Sequence, residues 1–467
     1  MKKLCENKVT GNIIIVIASI IILYLLFSVY FNKHFFFYTV INGANMSLKS
    51  YANEDEAIGK FVAEYKLELI GIDGAREEIT GQDIGFQYNV TSSIHKVRHM
   101  QKSFQWISSV YKKPKYYVND LYKFKEDSLG HTLAGLKCIN NTPVKSQNVS
   151  FLYKDASYEV VKEKYGNIIN RDQLRKAVIA SVLQGKKVLN LFDENCYEMP
   201  RFTLNSDKTA KTKNLLDQYV LTKITYKFGN SKEILDGNII NQWLYVDDNL
   251  EVQIDKNAVI QYVKDLSSIY DTVGIIRNFK TSTGKVIEIK KGLYGWKINQ
   301  DAEVKALLNN IKLGAEIEKE PVYSQKALSR NENEIGNTYV EINITRQMLW
   351  FYKAGKLIAH GSVVTGNPNR GNATVQGVYG LMYKEKDTSL KGPGYEVGVT
   401  YWMPFYGNIG IHDASWRNSF GGDIYKRNGT HGCVNAPYYL AKTIYDNIKE
   451  GIPVIVYVEE NEKKEQP

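Results

Sequence analysis

The chain has 467 residues, 43% of them hydrophobic, with 60 Lys and Arg against 50 Asp and Glu and a pI near 9. That length allows several domains, and no tract rich in Pro, Gly or Ser marks a long linker. The excess of ten positive charges suits an anionic wall or membrane surface. A nucleic-acid partner is set aside because no basic-aromatic cluster appears and the N-terminus directs export.

Between Lys8 and Lys33 lie 24 residues without a charge, most of them Ile, Leu, Val, Phe or Tyr. At about 1.5 Å per residue such a helix spans a bilayer core of about 30 Å. Lys2, Lys3 and Lys8 precede it, which predicts a cytoplasmic N-terminus and an exported remainder. The run is longer than a typical signal core, and no small-x-small site follows Phe35-Phe36-Phe37. Residues 1–38 are therefore read as a cytoplasmic tip and an uncleaved anchor, with a cleaved signal peptide as the competing reading. Cys5 stands before the apolar run, wrongly placed for a lipoprotein attachment site.

An internal repeat follows. Tyr165-Gly166, Ile169-Asn170 and Asp172 recur as Tyr294-Gly295, Ile298-Asn299 and Asp301, a constant offset of 129 residues. Lys176-Ala177 answers Lys305-Ala306, and Gly185 answers Gly314, giving eight identities over 21 positions. Each copy reads as an extended segment, an Asn or Asp cap, an amphipathic helix, a glycine stop and another strand. Two α+β modules are expected, at about 45–210 and 211–325. Elsewhere, His95 and His99 are four apart on an expected helix, a spacing that can chelate zinc. No third ligand stands nearby, so a solvated helix face is favoured and no metal is expected. His34 and His131 are isolated, and His360 ends a strand-like run. Cys138 and Cys196, both exported, are 58 residues apart; a bond between them would stabilise by about 3–4 kcal/mol on a loop-entropy basis. A disulfide and two free thiols remain equal readings.

The seam before the last domain is placed at Ser324–Asn337, which is polar and weakly patterned. Beyond it the chain reads Thr430-His431-Gly432-Cys433-Val434-Asn435-Ala436-Pro437, with His412 upstream in Gly410-Ile411-His412-Asp413-Ala414-Ser415-Trp416. A thiol attacks as thiolate, so a nucleophilic cysteine needs a base beside it. His412 is the candidate base and His431 an auxiliary group, and backbone N–H groups around Gly432 and Cys433 are the natural oxyanion hole. Asn435 as N-cap, Pro437 in the first turn, and Leu440, Ala441, Ile444, Tyr445 and Ile448 at helical spacing predict a helix directly after the thiol. Its positive end would then favour a thiolate.

The segment from about Gly336 to Val458 resembles the catalytic domain of the YkuD-type L,D-transpeptidases, which cross-link bacterial peptidoglycan. His412, seventeen intervening residues, then Thr430-His431-Gly432-Cys433-Val434-Asn435 fit the family motif. Tyr339–Asn343, Gln347–Tyr352, Val363–Gly366, Tyr401–Phe405 and Gly451–Tyr457 resemble successive strands of its fold. One departure is Thr374-Val375-Gln376-Gly377, where the family carries proline after the threonine. The resemblance implies a mixed α+β chain: two modules like those called peptidoglycan-binding domains, then a β-rich catalytic domain at 337–458. That domain would be a β-sandwich with a helix after the cysteine.

By this resemblance Cys433 attacks the carbonyl before the terminal D-alanine of a tetrapeptide stem. D-Alanine leaves, a thioester forms, and the side-chain amine of a neighbouring diamino acid completes a 3→3 cross-link. The carbonyl of Asp413 would orient His412, although its carboxylate is an alternative. Trp416, Asn435 and Thr430 match positions near substrate, as do Tyr401 and Trp402 more loosely. No cofactor is implied, carbapenems are expected to acylate the thiol, and the enzyme would face the wall from a single membrane span. Water as acceptor would give an L,D-carboxypeptidase from the same residues. A wall cysteine endopeptidase is disfavoured because the histidine precedes the cysteine in the chain. An idle peptidoglycan-binding protein is disfavoured by the intact His412, His431 and Cys433.

Overall fold

Apolar residues with no polar stripe form a helix with nothing of its own to bury, and the first element is of that kind. Helix α1 (Lys2–Tyr30) includes the stretch Thr10–Tyr30, long and apolar enough to cross a membrane, a test that a signal sequence also passes. Ile13 to Leu26 stand largely exposed along it. Its last turns differ: the Phe27 ring lies 4.9 Å from that of Trp106, Tyr24 Oη donates to the Phe104 carbonyl at 2.6 Å, and Phe31 is fully buried. The computed structural model describes residues 2–140, 142–330, 333–392 and 395–459. The chain forms two compact units, Met1–Leu152 with Val160–Ala210, and Tyr153–Glu159 with Lys211–Pro467.

In the first unit, β1 (Lys66–Ile70) pairs with β2 (Arg76–Thr80) as a hairpin. Helix α2 (Arg171–Leu183) leads to β3 (Val188–Asn190), which returns parallel to β1. Leu67, Leu69 and Ile79 from the sheet meet Leu174, Val178 and Val182 from the helix. Period 2 on the strands and period 3.6 on the helix thus converge on one core. Cys138 and Cys196 lie here as free thiols. Burial pushes Cys138 up to about 12 and Cys196 up to about 11. His95 and His99 fall on a six-residue helix, His95–Met100. Among the described residues no three His, Cys, Asp or Glu side chains gather as a metal site.

The second unit repeats the arrangement and extends it. Strands β4 (Lys223–Phe228) and β5 (Ser231–Leu235) form the hairpin. After a further hairpin, β6 (Arg277–Lys280) with β7 (Val286–Ile289), come helix α3 (Gln300–Leu313) and β8 (Glu316–Lys319), parallel to β4. Then a sandwich begins. Its five-stranded sheet uses β9 (Tyr339–Asn343), β10 (Met348–Lys353), β11 (Lys356–Ser362) and β12 (Gly377–Gly380). The four-stranded sheet comprises β13 (Glu385–Gly392), β14 (Tyr395–Tyr406), β15 (Ile409–Asp413) and β16 (Val434–Ala436), in that order. Helix α4 (Tyr438–Asn447) and β17 (Pro453–Tyr457) close the domain, and the first sheet runs β11-β10-β9-β17-β12. Val340, Ile342, Val454 and Val456 from one sheet meet Met403, Phe405, Ile411 and Val434 from the other. Each such side chain contributes about 1.5–3 kcal/mol on burial.

The alternate residues of β17, Ile455 and Tyr457, face outward and are buried too. Phe279, Ile289, Tyr294, Trp296 and Ile335 pack there with Val378. The polar seam expected at 324–337 is therefore crossed by packing. Glu334 pairs with the buried Arg277 at 2.6 Å, and Glu341 of β9 accepts from Ser282 N–H at 2.9 Å and from Tyr457 Oη at 2.6 Å. Asn331 and Glu332 of that seam lie outside the described residues. The stretch 363–366, expected as a strand, lies beyond β11. It makes isolated bridges instead, Val364 with Asn435 and Gly366 with Thr430.

Candidate active site

Strand alternation decides which residues of the histidine and cysteine segments share a face. Strands β15 and β16 run parallel with Ile411 beside Val434, His412 beside Asn435 and Asp413 beside Ala436. Ile411, Val434 and Ala436 enter the core, so His412 and Asn435 turn the other way. Across the antiparallel pair Trp402 stands opposite His412, with ring centroids 5.9 Å apart. Tyr401, one residue off, therefore faces the core. Its ring lies 5.4 Å from Tyr438 and 5.1 Å from Tyr445 of α4. The structure thus removes Tyr401 from the substrate side, because period 2 cannot put Tyr401 and Trp402 on one face.

A cavity of about 270 Å³ opens on the His412 face, reached by His412, Cys433, His431, Thr430 and Asn435. Trp416, 48% exposed, forms a rim, its ring 6.0 Å from that of His412. Leu390 and Val397 of the β13–β14 hairpin supply an apolar wall, and Arg417, Asn428 and Gly429 complete the lining. Trp402 supports His412 but is absent from that lining.

His412 is buried, and its Nδ1 lies 2.9 Å from the Asp413 carbonyl. A carbonyl only accepts, so Nδ1 carries the proton and Nε2 is the basic nitrogen. The Asp413 carboxylate is engaged elsewhere, accepting from Thr400 and Tyr401 N–H at 2.9 and 2.7 Å. Burial holds the His412 pKa below the ordinary 6.5, and the Arg417 charge adds to this; the Asp413 carbonyl and carboxylate work the other way. Burial likewise raises the Cys433 thiol above its usual 9, moderated by the Gly410 N–H. Both shifts favour neutral thiol beside neutral imidazole at rest. Cys433 Sγ lies 3.5 Å from the Asn408 carbonyl.

Two expectations at the cysteine need correction. Asn435 does not cap a helix: Val434–Ala436 is strand, the helix starts at Tyr438, and its N-cap is Pro437 without a side-chain bond. Val434 and Ala436 gain more by entering the core between the sheets than a turn there would give. The helix end is thus four residues beyond the thiol, and a macrodipole acts mainly within its first turn. Second, the Gly432 N–H is not an open oxyanion donor, because it donates to Thr430 Oγ1 at 3.0 Å. Thr430 Oγ1 also donates to the Cys433 carbonyl at 2.6 Å. Gly432 itself sits at φ +128, a conformation that suits glycine.

Thr374 and Arg417 carry parts of the site that the sequence motif did not flag. Thr374 Oγ1 donates to the Gly432 carbonyl at 2.8 Å and accepts from Gly366 N–H at 2.9 Å. The turn that lost its proline at Val375 is held through its threonine. Arg417 directly follows Trp416, and a cation at the end of the His412 segment was the available signal.

Residues 337–456 match the YkuD family model, described as the L,D-transpeptidase catalytic domain. Residues 77–190 and 203–318 each match the family described as "Putative peptidoglycan binding domain". None of the curated proteins matches the chain. Among solved structures, the Ldtfm–avibactam carbamoyl enzyme is 31% identical, covering 54% of this chain and 99% of its own, with a TM-score of 0.44. An Enterococcus faecium L,D-transpeptidase mutated from cysteine to serine is 32% identical, with 52% and 98% covered and a TM-score of 0.43. The catalytic domain of E. faecium L,D-transpeptidase acylated by ertapenem is 38% identical over 26% of this chain and 98% of its own, with a TM-score of 0.25. Matched by the catalytic-domain model and 31% identical to such an enzyme along 99% of its length, the chain belongs to the YkuD family of L,D-transpeptidases.

Proposed function

We propose that this enzyme is a membrane-anchored, wall-facing cysteine acyltransferase that forms 3→3 cross-links through a thioester on Cys433. The observation that carries the reading is His412, with Nδ1 fixed on the Asp413 carbonyl, opening with Cys433 onto one cavity. His412 Nε2 takes the thiol proton as sulfur attacks the carbonyl between the third stem residue and D-alanine. The Cys433 N–H, in place of that of Gly432, meets the developing oxyanion. The imidazolium then gives its proton to the departing D-alanine nitrogen, leaving a thioester. A side-chain amine of a second stem attacks, loses a proton to His412, and frees the sulfur, which takes the proton back. Asn435, Thr430, Trp416 and His431 line the path of substrate. Tyr24, Phe27 and Phe31 of α1 pack against the unit that follows them, which supports an anchor that is kept.

The test is to incubate full-length protein in detergent, and its Cys433→Ala variant, with disaccharide-tetrapeptide and to follow products by mass spectrometry. A Cys433-dependent dimer lacking one D-alanine, joined third residue to third, is expected. Tripeptide monomer alone would make the enzyme a carboxypeptidase. Ertapenem should add its mass to Cys433 and not to the alanine variant.

The pH dependence has a worked sign. A base whose pKa is lowered stays neutral to more acidic pH, so the acid limb of turnover should fall below pH 6.5. Alkylation of Cys433 by iodoacetamide should keep rising above pH 9, where the raised thiol ionises. An acid limb well above 6.5 would show that another group serves as base.

A further inference from the structure

Arg417 has no task in the mechanism above, yet it stands in the cavity. Its backbone is fixed by the turn after β15, where its N–H donates to the Ala414 carbonyl at 3.0 Å. Its side chain is half-buried and lines the same space as Cys433 and His412. The Nε is buried without an acceptor. Two other arginines share that feature, but both place their remaining nitrogens. Arg277 pairs with Glu334 and donates to the Thr272 and Ile275 carbonyls, and Arg330 donates to the Tyr270 carbonyl and Tyr323 Oη. Among the described residues no acceptor meets any guanidinium nitrogen of Arg417, and no Asp or Glu lines the cavity.

A half-buried guanidinium that lines a cavity and has no acceptor among the described residues is a receptor for a carboxylate, which its fork binds in bidentate fashion. The donor stem carries a free carboxylate close to the reacting atom. In a terminal amino acid the carboxyl carbon is three bonds beyond the scissile carbonyl carbon, about 3–4 Å away by standard backbone dimensions. A pocket of about 270 Å³ lined by the thiol, the base and one arginine has room for the terminal residue beside the scissile bond. We propose that Arg417 binds the terminal carboxylate of the D-alanine that leaves, so that the enzyme reads the free end of a tetrapeptide stem. This rests on the transpeptidase reading above. The carboxylate is the group that separates a tetrapeptide end from an internal peptide bond or an already cross-linked stem. Arg417 would therefore set donor selectivity rather than the chemistry.

The experiment compares two donors, disaccharide-tetrapeptide ending in D-alanine and the same compound ending in D-alaninamide. Full-length wild type, Arg417→Lys and Arg417→Gln are assayed for release of the terminal residue. Iodoacetamide, a neutral reagent, checks in parallel that each variant still presents a reactive Cys433. The wild type should prefer the carboxylate donor by about 100-fold in kcat/KM, the scale of a buried charge-assisted pair. Arg417→Gln should lose that preference mainly through KM on the carboxylate donor, bringing the ratio near one, and Arg417→Lys should keep part of it. A wild-type ratio near one, or an Arg417→Gln variant with unchanged preference, overturns the assignment while the transpeptidase reading stands. Release from neither donor by wild type removes that reading, and the carboxylate anchor with it.

Discussion

The two copies of the internal repeat begin and end their helices alike. Asn170 accepts from Gln173 N–H and Asn299 from Ala302 N–H, and the glycines that stop them, Gly185 and Gly314, sit at φ +66 and +64. Between the caps they part. Leu174 is 1% exposed in an apolar core; the equivalent Glu303 is fully buried and accepts from Lys319 Nζ at 2.7 Å, Tyr226 Oη at 2.6 Å and Val322 N–H at 2.6 Å. Tyr165, 39% exposed, lies edge-on to Phe192 with ring centroids 5.0 Å apart. Its equivalent Tyr294 is 2% exposed, donating from N–H to Val378 O and from Oη to Glu334 O, both at 3.0 Å. A repeated sequence thus fixes backbone geometry, while neighbours decide what each side chain does. The second copy is built onto the catalytic sheet, and the same tyrosine in the first copy stays at the surface.

Exchanging residues between the copies tests this directly. Leu174→Glu places a carboxylate in a core where no Lys or Tyr partner is provided by the equivalent strands. It should cost about 3–5 kcal/mol, the scale of an unpaired buried charge, and appear as loss of folded first unit in urea unfolding. Tyr294→Ala should cost about 3–5 kcal/mol as a large aromatic deletion, and also lower cross-linking, because Tyr294 touches the sheet through Val378. If Tyr294→Ala left turnover and stability intact, the second copy would be a tethered module and not part of the catalytic scaffold. Glu303→Leu, the reverse exchange, should cost less, about 2–3 kcal/mol. It strands Tyr226 Oη and the Val322 N–H, but the ammonium of Lys319 is partly exposed and can turn to water. Hydrogen exchange in α3 would read that loss locally.

Much of this was legible in the chain. The gathering of Cys433, His412 and His431 at one cavity, the asparagine caps and the strands at 339–343 and 453–457 follow from local pattern and motif. Three features did not, each for a physical reason. Asn435-Ala436-Pro437 satisfies helix-cap chemistry, but parallel pairing with β15 and burial of Val434 and Ala436 override it. Tyr401 and Trp402 look alike as a pair, and only the register against His412 separates a core ring from one beside the base. The packing of 279–296 on β17 is long-range, and nothing in a polar stretch such as 324–337 announces Ile335 as fully buried.

The smallest expected effect is the most discriminating. Tyr165→Ala removes an exposed ring that meets Phe192 and whose Oη donates to Glu163 Oε1 at 3.3 Å, so it should cost about 1 kcal/mol, the range of surface substitutions and single aromatic pairs. Turnover on soluble disaccharide-tetrapeptide should not change, since that substrate presents no glycan strand for the first module to hold. Binding to insoluble peptidoglycan sacculi is where a difference belongs if this copy has kept its tyrosine at the surface to contact the wall. Pelleting the variant with sacculi beside wild type therefore separates two roles for one residue type. Equal pelleting means Tyr165 is a vestige of the duplication, its partner long since absorbed into the catalytic sheet. Weaker pelleting with unchanged turnover means that one copy holds the wall while the other holds the enzyme.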